Sequence, residues 1–218
     1  MHLCDSLFPI GGFGYSDGLE AATAAGLVRT PAELQAWLDI CLEEAVGRTD
    51  GPVALHAWSA FERQDWDALS ELDEEITALR PASATRRSSR AMGLRLVTTW
   101  STLYPDRRLE RLLDLARGER LGPALPIAFG CACASAGVEK RDTGVAFAYT
   151  RLASTASAAL RLMRIGQTDA HVRLAEVLTR VPAVVDAMTT RAWPQSFAPA
   201  MDVSAMAQQY LHSRLFRS

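Results

Sequence analysis

Histidine and cysteine are the side chains of this sequence best suited to metal binding or nucleophilic catalysis. The four histidines are far apart along the chain: His2, His56, His171 and His212. The four cysteines form no CxxC pair: Cys4, Cys41, Cys131 and Cys133. A zinc site usually shows two ligands within a few residues of each other, and a serine hydrolase of the α/β type shows a GxSxG turn. The sequence contains neither pattern. The sequence therefore predicts no metal site, no cofactor and no catalytic triad, and we expect reduced structural thiols.

The densest unusual stretch is residues 11–18, Gly-Gly-Phe-Gly-Tyr-Ser-Asp-Gly. Its glycines do not follow the GxGxxG spacing of a dinucleotide site, Pro9 interrupts the segment before it, and it lacks the Gly-Lys-Ser/Thr of a P-loop. A turn that requires positive φ, ahead of a helix beginning near Ser16, explains the glycines. It does not explain Phe13 and Tyr15, which we predict to be exposed aromatic contacts for a partner.

A group of three arginines, Arg86, Arg87 and Arg90, falls within an arc of about 100° on one predicted helix. A solvated basic face would explain them, and so would a docking surface for an acidic partner, which is our prediction. Nucleic acid is disfavoured because no aromatic residues interleave with these arginines. The whole chain also has 23 Lys+Arg against 25 Asp+Glu, a net charge of −2.

The composition is that of an ordinary globular protein, with 218 residues of which 49% are hydrophobic and 22% charged. This length favours one large domain that needs no disulfide or metal for stability. No apolar run approaches the roughly 20 residues of a membrane span, and the chain does not open with a basic and apolar export signal. We expect a soluble cytoplasmic protein.

Helical periodicity covers nearly the whole chain, and no segment alternates with the period of two that marks a strand. Thr30-Pro31-Ala32-Glu33 is a capping box followed by an apolar stripe at i, i+3, i+4 and i+7. Asp65 and Asp106 are predicted to start further helices, and the small residues 153–159 are predicted to lie in a central helix. The sequence predicts an all-α fold, a single compact domain of about nine or ten helices spanning residues 1–200.

Between two predicted helices lies Gly166-Gln167-Thr168-Asp169. A glycine C-cap and an N-cap at Thr168 or Asp169 account for three of these positions. Gln167 is left over, and we predict that it contacts a partner.

Pro194 and Pro199 separate residues 201–218 from the preceding chain. The apolar side chains of this segment include a stripe at helical spacing and two residues near the end: Val203, Met206, Tyr210, Leu215 and Phe216. Arg214 and Arg217 add positive charge. This segment either packs on its own domain or is a docking arm, and we predict an arm that contacts its partner through Tyr210, Arg214, Leu215, Phe216 and Arg217.

Three stretches in this order resemble the urease accessory proteins of the UreF family. They are DSLFPIGGF (residues 5–13) continued by GLE (residues 18–20), LMRIGQTD (residues 162–169) and YLHSRLFRS (residues 210–218). The resemblance implies an all-α, non-enzymatic protein that binds the accessory protein UreD (also called UreH) and recruits the GTPase UreG. Such an assembly delivers nickel to the urease apoprotein.

The resemblance also implies a homodimer and makes UreD the expected partner of the C-terminal arm. A role in regulating the GTPase would suit an arginine finger. Arg86, Arg87, Arg90 and Arg164 are candidates by residue type alone.

The residues alone leave two other functions open. One is an all-helical enzyme whose polar site is assembled from distant residues such as His56, Asp169 and His171; the other is a helical ligand-binding regulator. A closed pocket with a perturbed acid or base would favour an enzyme, whereas broad, shallow apolar patches would favour a scaffold.

Overall fold

The structure is a computed structural model that describes residues 2–5, 8–10, 12 and 15–216. Its α-helices in these residues are α1 (Leu19–Ala24), α2 (Pro31–Ile40), α3 (Gly51–Glu62), α4 (Trp66–Ala78), α5 (Ser83–Leu103), α6 (Arg107–Arg117), α7 (Leu125–Ser135), α8 (Lys140–Leu162), α9 (Gln167–Leu178), α10 (Val181–Thr189) and α11 (Pro199–Ala207). A π-helix, Cys41–Asp50, joins α2 to α3 without a break, and 3-10 helices cover His2–Cys4 and Gln208–Tyr210.

The all-α prediction is confirmed, since the described residues contain no strand. Because α2 and α3 form one continuous rod through the π-helix, ten helical rods make up this part of the chain. None of its helices is long and apolar enough to cross a membrane.

Side-chain caps define several helix starts where the sequence predicts them. The hydroxyl of Thr30 accepts a hydrogen bond from the Glu33 amide at 3.3 Å, and the Glu33 carboxylate accepts one from the Thr30 amide at 2.9 Å. Asp65 caps α4 and Asp106 caps α6 by accepting from amides in the first turn, at 3.2 and 2.8 Å. These contacts are local, so the sequence is sufficient to predict them.

Helix α9 begins differently from the prediction. Gly166 is its N-cap residue, with extended backbone and no side-chain cap, and Gln167 is its first residue. The expected N-cap at Thr168 or Asp169 is therefore wrong, and so is the glycine C-cap, because α8 already ends at Leu162 and Met163 is its C-cap residue. The two helices are joined by a short extended link, so no left-handed glycine is needed between them.

Helix α10 begins with Val181-Pro182, although a proline inside a helical pattern usually ends a helix. Pro182 instead occupies the first turn of α10, where its missing amide hydrogen is not required. Residues 181–189 form a short helix that packs against α3, α8 and the π-helix.

The core is built on α3, α7 and α8. Residues 125–134 of α7 are all buried, and α7 lies so close to α3 that a Cβ at Gly130 would be 2.2 Å from the Ala54 carbonyl oxygen. Helix α8 contacts α1, α2, α3, α7, α9 and α10, which confirms the central position predicted from its small residues. Small side chains allow α8 to contact this many helices, because helix backbones can approach closely when little side-chain volume lies between them.

A buried carboxylate holds the link between α6 and α7. Asp73 on α4 accepts hydrogen bonds from the amides of Gly122 at 3.0 Å and Ala124 at 2.8 Å, and the Arg90 guanidinium lies 3.6 Å away. Burial raises the pKa of Asp73, although these partners act in the opposite direction. The link therefore depends on one side chain from a distant helix.

Candidate functional site

The C-terminal segment, residues 199–216, lies against α1 and α5. Helix α11 crosses α1 at Gly18, whose φ is +87°, and a Cβ there would be 2.9 Å from the Ala205 amide nitrogen. Met201, Ser204 and Phe216 are buried. Residues 201–216 therefore pack on their own domain, which is one of the two alternatives that the sequence leaves open. Its role in docking stays a prediction.

One carboxylate holds the end of this segment. Glu20 on α1 is buried and accepts hydrogen bonds from the side-chain amide of Gln208 at 2.8 Å and from the backbone amides of Leu215 at 2.5 Å and Phe216 at 3.2 Å. The Ser16 hydroxyl donates to the Gln208 side-chain oxygen at 3.2 Å. We call Ser16, Glu20 and Gln208 the C-terminal clamp. Hydrogen bonds to a carboxylate are stronger than neutral ones, so the clamp holds both ends of residues 208–216.

Phe216 completes the attachment with an aromatic contact. Its ring is 3% exposed and faces the Arg161 guanidinium of α8, with the Cζ atom 4.4 Å from the ring centroid. This distance is within the range of a cation–π interaction. Residues 215–216 are therefore anchored to α1 through Glu20, and Phe216 also to α8 through Arg161.

The outer face of the same segment is apolar and exposed. We call its four exposed apolar side chains the apolar stripe: Val203, Met206, Tyr210 and Leu215. Tyr210 is 78% exposed and Leu215 is 54% exposed. Contiguous exposed apolar side chains on a folded segment usually indicate a binding surface.

Beside the apolar stripe lies a groove that unites two features predicted separately. Its cavity is about 330 Å³ and lies between residues 81–84 at the start of α5 and the C-terminal segment. Arg87, Tyr210 and Arg214 line it, together with Met206 and Gln209. We call these five residues the basic groove. Its described lining residues include no Asp or Glu.

A charged cavity of about 90 Å³ lies beneath α11. Two ion pairs line it, one from Arg151 to Asp17 and one from Arg80 to Asp50 at 2.7 Å. Burial disfavours the charge on Arg151, but the carboxylates of Asp17 and Asp50 outweigh this and raise the pKa of the guanidinium. Removal of one partner of such a buried pair leaves an uncompensated charge and is strongly destabilising.

The comparisons with known proteins identify the family. The family model described as UreF matches residues 28–178. The chain belongs to the UreF family. A urease accessory protein UreF of Methylibium petroleiphilum is 32% identical over 100% of this chain and 92% of its own length. The UreF protein of Lachnoclostridium phytofermentans is 30% identical over 100% of this chain and 96% of its own length. The UreF protein of Rhodopseudomonas palustris is 32% identical over 97% of this chain and 86% of its own length.

Membership of the UreF family confirms the resemblance drawn from the three sequence stretches and supports a role in urease maturation. As a member of a family of accessory proteins, the chain is not an enzyme. The residues suggested for an enzyme site have other surroundings: a ring nitrogen of His56 is hydrogen-bonded to the Arg191 carbonyl at 3.0 Å, and Asp169 and His171 are exposed on α9.

The arginines predicted as partner contacts of this UreF-family chain have different surroundings. Arg86 donates to the backbone carbonyls of Arg80 and Pro81, and Arg90 lies beside Asp73. Arg87 is exposed in the basic groove. The structure thus separates three residues that are predicted to share one helix face, because Arg86 binds the chain just after α4 and Arg90 pairs with Asp73 within α4.

The other predicted contacts are dispersed. Tyr15 is half-buried and packs against the core, and Gln167 is exposed at the start of α9. Tyr210, Arg214 and Leu215 lie on the outer face of the C-terminal segment, whereas Phe216 is buried under it. Phe13 and Arg217 lie outside the described residues. The partner role of each of these residues stays a prediction.

The C-terminal clamp and the charged cavity are the features that sequence reasoning misses. Glu20 and Gln208 are ordinary polar residues in the sequence, and only the meeting of α1 with the chain end makes them a pair. A hint for Glu20 is its position among small and apolar residues in LEAATA, where a charged residue needs a partner if it is buried.

Proposed function

We propose that the chain is a cytoplasmic scaffold for nickel insertion into urease, which binds UreD (UreH), recruits the GTPase UreG and acts on the urease apoprotein. Family membership supports the maturation role, and the protein surface supports binding. The observation that carries the proposal is the apolar stripe. Its side chains are exposed to solvent, and the C-terminal clamp holds the segment to which they belong.

The energetics of the apolar stripe suit a protein partner. Burying a large apolar side chain contributes about 1.5–3 kcal/mol, and ordering costs reduce this when the side chain is mobile. Tyr210 and Leu215 belong to a segment that Glu20 already holds. Less conformational entropy is therefore lost when a partner binds them. We therefore propose that UreD contacts Tyr210 and Leu215.

The test is co-purification with UreD from cells that express the full chain and the urease proteins. We expect the double variant Tyr210→Ala/Leu215→Ala to lose UreD and to lower urease activation, because it removes exposed contacts. Val172→Ala on α9 is the matched control, since Val172 is also an exposed apolar residue. Retention of UreD by the double variant at the level of the control would overturn the proposed surface.

We also propose that the scaffold is a homodimer. An apolar cavity of about 430 Å³ lies between α8 and the start of α10, lined by Val145, Ala146, Tyr149 and Pro182, and Tyr149 is 42% exposed. Light scattering should give twice the chain mass of 23.7 kDa. Tyr149→Glu should shift the mass to that of one chain, whereas Val172→Glu should not. A mass of one chain for the wild type at all micromolar concentrations would contradict the dimer.

A GTPase-regulating arginine would need a guanidinium that can reach a partner. Arg86 binds two backbone carbonyls and Arg90, although exposed, lies beside Asp73, whereas Arg87 and Arg164 are exposed without such an ion pair in the described residues. We propose that, if UreG is activated by an arginine of this chain, Arg87 or Arg164 supplies it. Substituting each by Gln and measuring GTP hydrolysis by UreG in the complex tests this directly.

A further inference from the structure

The basic groove differs from the other arginine-rich places in the molecule. Arg80, Arg86, Arg90 and Arg151 all have a carboxylate or a carbonyl oxygen as partner. Among the described residues, the side chains of Arg87 and Arg214 form no ion pair and no hydrogen bond, although both line the same cavity of about 330 Å³. Their positive charge is therefore uncompensated within the described part of the chain.

Apolar contact surface lies beside these two charges. Tyr210 is 78% exposed and Met206 is 38% exposed, and both line the same groove as the two arginines. Arginine guanidinium groups bind carboxylates in a bidentate geometry, and a tyrosine ring offers a rigid apolar face. One groove thus offers sites for carboxylates next to a site for an apolar side chain.

We propose that the basic groove binds an acidic segment of a partner protein, in which carboxylate side chains flank an apolar residue. This rests on the proposed function, because the partner is then one of the urease maturation proteins. Charge complementarity favours this occupant, since the groove carries two positive charges on a chain whose net charge is −2. Nucleic acid is a poorer fit because Tyr210 is the single aromatic residue of the groove and one ring gives little stacking.

The test is fluorescence anisotropy with the full-length chain and a short fluorescein-labelled peptide that alternates glutamate with leucine. A second peptide carries glutamine in place of each glutamate. The variants are Arg87→Gln, Arg214→Gln and the double variant, and Arg111→Gln on α6 is the control because Arg111 is also exposed. Since all three arginines are exposed, we expect unchanged thermal unfolding in every variant.

We expect each single variant to weaken binding of the acidic peptide roughly twofold to fivefold and the double variant about tenfold, as for exposed ion pairs. Arg111→Gln should have no effect, and added salt should weaken binding to the wild type more than to the double variant. Equal binding of the glutamine peptide would overturn the proposal. So would displacement of the peptide by millimolar phosphate, or preferential binding of single-stranded RNA.

Co-purification of the wild-type chain with UreD tests the proposed function independently of this inference. If UreD is retained but the acidic peptide does not bind, the basic groove is not an acidic-segment site and the scaffold function stands. If the peptide binds as expected but no urease protein co-purifies, the proposed function fails while the groove chemistry stands.

Discussion

The carboxylate of Glu20 accepts a hydrogen bond from the side-chain amide of Gln208 at 2.8 Å, across 188 residues of chain. The same carboxylate accepts bonds from the backbone amides of Leu215 and Phe216. Helix α1 and residues 208–216 are therefore one structural unit, and the apolar stripe lies on a segment that the domain holds in place.

The first prediction concerns this clamp. Glu20→Gln replaces one acceptor oxygen by an NH₂ group that faces donors, so we expect the free energy of unfolding to fall by about 1–3 kcal/mol. Urea denaturation measures this. Trypsin should also cleave after Arg214 faster than in the wild type, because the segment is released.

The control for the clamp is Glu110→Gln, a change at an exposed glutamate of α6. It should leave both stability and the rate of cleavage unchanged. If Glu20→Gln behaves like this control, Glu20 does not hold the C-terminal segment.

The second prediction concerns Asp73. Asp73→Ala removes the acceptor for the amides of Gly122 and Ala124 and leaves them unpaired, so we expect a loss of about 3 kcal/mol of unfolding free energy. Glu74→Ala is the control because Glu74 is the exposed neighbour on α4. Equal stability of the two variants in urea denaturation would contradict this role of Asp73.

The pH dependence of the same residue has a definite sign. Burial raises the pKa of Asp73 in the folded state above its ordinary value of 3.8, so the folded state binds the proton more tightly than the unfolded state. This contribution to stability is complete below about pH 3.8 and is lost as the pH rises through the raised folded-state pKa. The difference in unfolding free energy between wild type and Asp73→Asn, which does not titrate, should therefore decrease with rising pH. An increase would show that the pKa is lowered.

The third prediction concerns thiol reactivity. Burial raises the pKa of Cys41 to about 11 and that of Cys133 to about 12, and it also raises the pKa of the fully buried Cys131. These thiols should stay protonated and inert toward a disulfide reagent at pH 8 in the folded protein, so that only the half-buried Cys4 reacts. In Cys4→Ser no fast thiol should remain, whereas denaturation should expose all the cysteines.

The fourth prediction is that the isolated protein binds nickel no more tightly than micromolar. The described residues place no three His, Cys, Asp or Glu side chains as a set of metal ligands, and the closest histidine and cysteine in the sequence are His2 and Cys4 near the chain start. Equilibrium dialysis measures the affinity. A submicromolar stoichiometric site that persists in the variant His2→Ala/Cys4→Ser would contradict the prediction.

Much of the helical architecture follows from short-range patterns. The capping box at Thr30 and Glu33 and the caps at Asp65 and Asp106 join residues three or fewer positions apart, so their chemistry is visible in the sequence. The small residues 153–159 likewise indicate close packing. Family membership is also contained in the sequence, since three separated stretches carry the resemblance that the comparisons confirm.

Some helices depend on their surroundings. The π-helix Cys41–Asp50 continues an ordinary apolar stripe, and α10 carries Pro182 in its first turn. Local propensity is weak beside tertiary packing, and the π-helix and α10 both pack against α3 and against each other.

The candidate site is the part that only the tertiary structure decides. Arg87 and Arg214 belong to two separate sequence features, and Glu20 meets Gln208 only because α11 crosses α1 at Gly18. Periodicity and capping report on neighbours within about a helical turn. Contacts between elements more than a hundred residues apart depend on how the buried faces of many helices fit together, and no local pattern encodes that fit.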